Sequence, residues 1–136
     1  MLTIGHRGAR GYIAENTLES IQKALDLNVD GIEIDVFRCA SGEIVVFHDK
    51  KLKRLTGHNG LIEETTFEEL KNILVAGRYR IPTLQQVLEK IDGKILLNVE
   101  LKGENTAIPT ATILKQYLSD SQSDIKKLIV SSKNWK

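Results

Sequence analysis

The chain has 136 residues, of which 27% are charged, and its net charge at pH 7 is +1. This length is sufficient for one domain with a moderate core, and we predict a single domain over residues 1–136. The near-neutral charge excludes a broad field of the kind that attracts nucleic acid or anionic membranes, so no nucleic-acid partner is expected.

The sequence contains no predicted membrane or secretion segment. Its first residues have no apolar stretch typical of a signal peptide, and no apolar run approaches the length of a membrane span. The one cysteine, Cys39, excludes an internal disulfide and is typical of a reducing compartment. These features predict a soluble, cytoplasmic protein.

The first predicted strand, residues 2–6, ends in polar residues. Gly8 and Gly11 follow closely and allow the backbone to turn tightly and to approach a ligand. The guanidinium of arginine matches phosphate oxygens, so His6 and Arg7 at a strand end indicate phosphate chemistry. Such pairs are also common on ordinary surfaces, which is the alternative interpretation.

The next predicted element is a helix that runs to about Leu27. The sequence Asn-Thr-Leu-Glu at residues 16–19 has the form of a capping box, in which Asn16 caps the helix and Glu19 reaches back to it. Apolar residues then recur at helical spacing.

A short buried strand is predicted for residues 31–37, where apolar residues alternate with Glu33 and Asp35. Both carboxylates leave the strand on the same face. Their burial is costly unless positive charge lies between them, and a hard divalent cation bound through oxygen is the simplest solution. Pairing with basic side chains or exposure to water are the alternatives.

The middle of the chain predicts one strand, a loop and two helices. Residues 43–47 form a strand that ends in His48 and Asp49, and residues 50–64 form a polar loop whose His58 we interpret as a bystander. Capping boxes beginning at Thr66 and Thr83 open the two helices, with an irregular segment at residues 76–82 between them.

The last third predicts a strong strand, a helix and a final strand, at residues 94–101, 106–118 and 127–131. Within the first of these, Asn98 and Glu100 share a face with Lys102, which follows the strand. That face becomes more polar toward the end of the strand.

Alternating strands and amphipathic helices predict an α/β fold built from parallel β/α units. The polar residues singled out above lie at the carboxyl ends of strands, where such folds place their sites. We count about five strands, whereas a closed (β/α)₈ barrel needs eight and usually at least ~200 residues. The chain is therefore either an open sheet or the first part of a barrel.

Five short motifs occur in the order seen in glycerophosphodiester phosphodiesterases, and the chain resembles that family from about residue 3 to residue 132. The stretch from Arg54 to Gly60 is also similar to the family's sequence after its second histidine. The five motifs are His6-Arg7-Gly8, Glu15-Asn16-Thr17, Glu33-Ile34-Asp35, His48-Asp49 and Glu100-Leu101-Lys102.

This resemblance implies a TIM-barrel fold, here truncated to about five strands, and hydrolysis of glycerophosphodiesters to glycerol 3-phosphate and an alcohol. It implies a divalent cation, Mg²⁺ or Ca²⁺, as cofactor. By matching position, the metal ligands would be Glu33, Asp35 and Glu100, the general acid/base pair His6 and His48, and the phosphate-binding residues Arg7 and Lys102. Asp49 would be a further ligand or an orienting partner.

The chemistry of the residues agrees with this assignment. A cation and basic side chains stabilise charge on the phosphoryl oxygens, and two histidines can accept and donate the transferred protons. The attacking group is either water or, by resemblance, the glycerol hydroxyl of the substrate.

The resemblance also implies that about a third of the family's scaffold lies beyond this sequence. Three readings follow. The chain is an active phosphodiesterase, a catalytically inactive remnant that binds metal or phosphate, or a half-barrel whose role is association. A homo-oligomer that covers the open edge of the barrel fits the first and third readings.

Overall fold

A computed structural model describes residues 2–121 and 125–132 of the chain. The predicted domain also includes Met1, residues 122–124 and residues 133–136, which lie outside these ranges. In chain order the elements are β1 (Ile4–His6), α1 (Leu18–Asp26), β2 (Gly31–Arg38), β3 (Ile44–Val46), α2 (Lys53–Thr56), α3 (Phe67–Leu70), β4 (Leu74–Val75), β5 (Tyr79–Arg80), α4 (Leu84–Ile91), β6 (Leu96–Leu101), α5 (Ala107–Ser121) and β7 (Leu128–Ser132). Two 3₁₀ turns lie at Ile62–Glu64 and Ile125–Lys127.

Five strands form the main sheet, as predicted, and four of them run parallel in the order β1-β2-β6-β7. The fifth, β3, pairs antiparallel with the end of β2, a direction that the hydrophobic pattern does not reveal. The four parallel strands are half of the eight in a closed (β/α)₈ barrel. The parallel register places Glu33 beside His6, and Asp35 beside Glu100.

One face of the sheet packs against helices and forms the larger core. Ile32, Ile34 and Val36 point to this face and are at most 1% exposed. They meet the apolar sides of α1 and α4, where Ile21, Leu84 and Val87 contribute to the same cluster. These helices therefore cover one face of the sheet, and the carboxylates Glu33 and Asp35 lie on its other face.

The segment that links β2 to α4, residues 39–83, forms an insertion, and a second core lies between it and the end of β2. Its buried residues include Phe37, Cys39, Val45, Phe47, Leu52, Ile62, Leu70, Val75 and Ile81. The predicted loop at residues 50–64 contains α2 and a 3₁₀ turn, and the predicted irregular segment at residues 76–82 contains β5, which pairs with β4. This compact insertion holds His48 and Asp49 at the carboxyl end of the sheet.

The predicted cap of α1 is wrong by one residue. Thr17, not Asn16, is the N-cap: its hydroxyl accepts from the Ser20 N–H, and the Ser20 hydroxyl accepts from the Thr17 N–H. Asn16 has φ 55° and directs its side chain to Asp35. The capping boxes predicted at Thr66 and Thr83 are confirmed.

The other face of the sheet is only partly covered by the described residues. Ile4 and Ile129 belong to this face and are 44% and 45% exposed. Toward the carboxyl ends of the strands the same face becomes polar and buried, where Glu33 and Asp35 lie. Among the described helices, none has the length and apolar character that crossing a membrane requires.

Candidate active site

Three carboxylates converge at the carboxyl ends of β2 and β6. Glu33, Asp35 and Glu100 each offer an oxygen, and these oxygens lie within 4.8 Å of one another. All three residues are buried. The parallel register brings Glu100 beside Asp35, and the two-residue repeat of β2 puts Glu33 on the same face. The predicted metal ligands therefore form one group that could hold a metal ion.

Asp35 is the centre of this group: a hydrogen bond reaches one of its carboxylate oxygens, and the other, Oδ1, lies 4.0 Å from Lys102 Nζ. Its Oδ2 accepts from the Asn16 side chain at 3.2 Å, and its backbone N–H donates to the Asn16 Oδ1 at 3.4 Å. Its Oδ1 is buried and has no hydrogen-bond partner among the described residues. A buried carboxylate oxygen without a donor is unfavourable, and a divalent cation would satisfy it. The arrangement thus fits such a cation.

Burial and mutual repulsion make these carboxylates hard to ionise when no cation is present. Burial, followed by the charge of Asp35, raises the pKa of Glu33 to about 7. Burial, followed by the adjoining Glu100 carboxyl, raises the pKa of Asp35 as well. A bound cation would reverse this, because it favours the ionised carboxylates.

Two basic side chains border the carboxylates. Arg7 is largely buried, with its Nε 3.7 Å from Asp35 Oδ2 and its Nη1 3.0 Å from Glu15. Lys102 Nζ lies 3.6 Å from Glu100 and 4.0 Å from Asp35. The carboxylates therefore also pair in part with basic residues, which was the alternative to a metal ion, since two positively charged side chains lie beside three carboxylates. The role of Arg7 and Lys102 in holding a phosphate stays a prediction.

His6 lies at the rim of the same cluster. Its Nε2 is 3.7 Å from Glu33 Oε1, and half of its side chain is exposed. Partial burial, then the positive charges of Arg10 and Arg7, lowers the pKa of His6. A lowered pKa keeps the imidazole neutral at neutral pH, which is the form that accepts a proton.

His48 approaches from the insertion and is oriented by its neighbour. Its Nδ1 is 2.7 Å from Asp49 Oδ1. Because an ionised carboxylate can only accept, Nδ1 is the donor and Nε2 is left available to the site. His48 also lines one cavity of about 500 Å³ with Lys102. Asp49 is not one of the clustered carboxylates, so of its two predicted roles the geometry favours that of orienting partner.

Sequence reasoning missed two residues that organise this site. Glu15 is buried and binds Arg7, and Arg54 forks between Glu15 and Asp49. Both lie in segments that carry the family resemblance, but no sequence pattern shows that residues 39 positions apart meet. His58, interpreted as a bystander, is exposed in the loop after α2.

The fold and the site together define the class of protein. Four parallel strands in barrel order, with acidic and basic side chains at their carboxyl ends, describe part of a (β/α)₈ barrel with a polar site at its usual end. The model of the glycerophosphoryl diester phosphodiesterase family matches residues 6–136, and the chain belongs to this family.

Relatives and solved structures agree with this membership. A glycerophosphodiester phosphodiesterase from Caldanaerobacter subterraneus is 38% identical over 74% of this chain and 45% of its own length. YhdW from Bacillus subtilis is 36% identical over 96% of this chain and 57% of its own. A phosphodiesterase from Oleispira antarctica, solved with its product sn-glycerol 3-phosphate, superimposes with a TM-score of 0.85 and 34% identity, covering 99% of this chain and 58% of that one.

The chain thus spans about half the length of the relatives that it matches. The shared half contains every predicted site residue, and the structure brings His6, Arg7, Glu33, Asp35, His48, Glu100 and Lys102 to one end of the sheet. Their individual roles stay predictions.

Proposed function

We propose that this chain carries the site for metal-dependent hydrolysis of glycerophosphodiesters to glycerol 3-phosphate and an alcohol. The observation that carries the proposal is the convergence of Glu33, Asp35 and Glu100, with an unsatisfied oxygen of Asp35 inside the cluster. The proposed cofactor is Mg²⁺ or Ca²⁺, since both prefer oxygen ligands. The proposed substrate follows from the family to which the chain belongs.

A phosphodiester is slow to hydrolyse because its negative charge repels nucleophiles and an alkoxide leaves poorly. The cation, when bound, would polarise the phosphoryl oxygens and stabilise the charge that develops on them. Arg7 and Lys102 would hold the same group through charge and hydrogen bonds. The mixed polar cavity that His48 and Lys102 line is large enough for a small phosphodiester.

The two histidines would divide the proton transfers. His6 is set to be neutral and can accept the proton of the attacking oxygen. His48, held through Nδ1 by Asp49, presents Nε2, which donates to the leaving alcohol when the ring is protonated on both nitrogens. If His48 is instead the base and His6 the acid, the same two side chains take part, so both histidines are required in either case.

Calorimetric titration with Mg²⁺ or Ca²⁺ tests the metal site directly. We expect one ion per chain, and Asp35→Asn should weaken binding by at least ~10–100-fold, since it neutralises the central ligand. Glu89→Gln, an exposed substitution on α4, is the matched control and should bind as the unmodified chain does. Equal affinity in the Asp35→Asn variant would contradict a shared site.

Hydrolysis of glycerophosphocholine, measured with and without EDTA beside light scattering, tests the activity. Turnover that EDTA abolishes supports the proposal. Metal binding without turnover would instead identify a remnant that binds but does not catalyse. An oligomer whose assembly ignores metal, without turnover, would identify a structural half-barrel. Cytoplasmic location and a single domain over residues 1–136 stay predictions.

We also propose that a polypeptide of these 136 residues associates with a second copy. The edge strands β1 and β7 can pair further, and Ile4 and Ile129 expose apolar surface on the inner face. Leaving several hundred Å² uncovered forgoes several kcal/mol at ~25 cal/mol per Å², against a total stability of ~5–15 kcal/mol.

Sedimentation at micromolar concentration, with a thermal melt, measures this association. We expect a dimer, or a marginally stable monomer that aggregates. A monomer at every concentration, with a sharp transition above about 65 °C, would contradict the proposal.

A further inference from the structure

Arg54 is an exposed residue whose side chain makes four hydrogen bonds to carboxylates. Half of its side chain is open to solvent. Its Nη1 and Nη2 donate to the two oxygens of Glu15 at 3.0 and 3.2 Å. Its Nε and Nη2 donate to the two oxygens of Asp49 at 2.8 and 2.9 Å. One guanidinium therefore grips two carboxylates, each through both oxygens, a geometry that lysine cannot reproduce.

Each of these carboxylates holds a residue of the proposed chemistry. Asp49 accepts from Nδ1 of His48 at 2.7 Å. Glu15 accepts from Nη1 of Arg7 at 3.0 Å, and the backbone N–H of Arg7 donates to Glu33 at 3.2 Å. The contacts thus run without interruption from His48 through Arg54 to the carboxylate cluster.

The positive charges around Asp49 and Glu15 keep both carboxylates ionised. The hydrogen bonds from Arg54, followed by that to His48, lower the pKa of Asp49 to about 2. Hydrogen bonds from Arg54 and the charge of Arg7 lower the pKa of Glu15, although burial opposes them. Both residues are therefore ionised acceptors throughout the neutral range. A carboxylate that can only accept fixes which nitrogen of His48 carries the proton.

We propose that Arg54 is a positioning residue: by fixing Asp49 it selects the Nδ1–H tautomer of His48, and by fixing Glu15 it aligns Arg7. The inference rests on the proposed two-histidine function and assigns the insertion the task of orienting one histidine. Without Arg54 the Asp49 side chain turns to solvent, and His48 loses the acceptor that defines its tautomer.

Nitrogen NMR of ¹⁵N-histidine-labelled chain tests the proposal without requiring turnover. Spectra taken at about pH 8.5, where free imidazole is neutral, give the ratio of the two tautomers. We expect the Nδ1–H form of His48 to dominate in the unmodified chain. Arg54→Ala should lower its ratio to the Nε2–H form by about threefold or more, which is the effect of losing a charge-assisted support.

Three further variants make the result decisive. Asp49→Ala removes the acceptor and must change the ratio. Lys53→Ala removes a neighbouring exposed cation on α2 and must leave it unchanged. Arg54→Lys keeps the charge but not the fork and should also lower the ratio, so it decides the matter if Arg54→Ala does not fold. An unchanged ratio in a folded Arg54 variant would overturn the proposal.

Kinetics provide the second readout where turnover exists. Arg54→Ala should lower kcat by about tenfold because His48 is misoriented, with a smaller rise in KM from the misaligned Arg7, and added guanidinium ion should restore part of the loss. A rise in KM alone would overturn the positioning role. A chain that shows the expected tautomer shifts but no turnover would refute the proposed hydrolysis and leave the role of Arg54 in orienting His48 intact.

Discussion

In an active form of the chain, replacing either His6 or His48 with alanine is expected to lower the proposed glycerophosphodiester turnover by about 10²-fold or more, typical of losing a general acid or base. His6, on β1, lies 3.7 Å from Glu33, and His48, just after β3, lines a cavity with Lys102. Neither belongs to the core, so the loss should appear in kcat while the fold is kept. Initial rates at saturating metal, with circular dichroism of each variant, measure it.

His58→Ala is the matched control, because it removes the third histidine of the chain from an exposed loop. Its turnover should stay within about twofold of the unmodified chain, the range of ordinary surface substitutions. If all three histidine variants lose activity equally, the assignment of the acid/base pair has no basis.

The second large effect concerns stability in the absence of metal. We expect the metal-free chain to lose stability as pH rises from about 5 to about 7.5. The pKa of Glu33 is raised from 4.5 to about 7 in the folded chain, so the folded state holds a proton that the unfolded state releases. The stabilisation is complete below the unfolded pKa and is lost as pH rises through the folded one, a change of roughly 3 kcal/mol.

Other titrating groups can be separated from this effect. The lowered pKa values of Glu15 and Asp49 act below about pH 5, where both residues lose stabilising charge. The lowered pKa of His6 acts with the opposite sign, because the folded state resists a proton that the unfolded state takes up near pH 6.5. The informative quantity is therefore the difference between the unmodified chain and Glu33→Gln, which removes the titration of Glu33 together with its repulsion of Asp35.

Thermal melts with EDTA across this pH range, repeated with excess Mg²⁺ or Ca²⁺, measure the difference. With EDTA, Glu33→Gln should become the more stable of the two chains above pH 7. With metal the order should reverse, since the cation binds the ionised cluster of the unmodified chain. An identical pH profile for both chains in EDTA would show that Glu33 carries no raised pKa.

The elements that could be predicted are those whose information is local. The two-residue repeat of β2 places Glu33 and Asp35 on one face, and the capping boxes at Thr66 and Thr83 mark helix starts correctly. The convergence of Glu100 with this pair followed from the rule that parallel strands end at one edge. Periodicity and cap chemistry were sufficient for these features.

The elements that escaped prediction depend on contacts distant in the chain. Strand β3 runs antiparallel because the insertion folds back on β2, and no residue within β3 encodes that direction. Asn16 resembles a cap, but its amide is used by Asp35, 19 positions away, so the cap moves to Thr17. Arg54 was predicted only as part of the loop at residues 50–64, because its link to Glu15 joins residues 39 positions apart.

The backbone at Arg7 and Asn16 is strained in a way that affects which mutations would stabilise the fold. Both residues adopt a left-handed conformation, with φ of 54° and 55°, which costs a residue with a side chain about 1–2 kcal/mol relative to glycine. Glycine there would relieve this strain but would also remove the Asn16 amide and the Arg7 guanidinium that contact Asp35. Neutralisation of Glu33, by contrast, would be favoured if folding were the only requirement. A screen of random variants for thermal stability should therefore find its gains concentrated at the carboxyl ends of the strands. A screen of the same variants for ligand binding should reject those that gained stability. At this end of the sheet, selection for binding therefore acts against selection for stability.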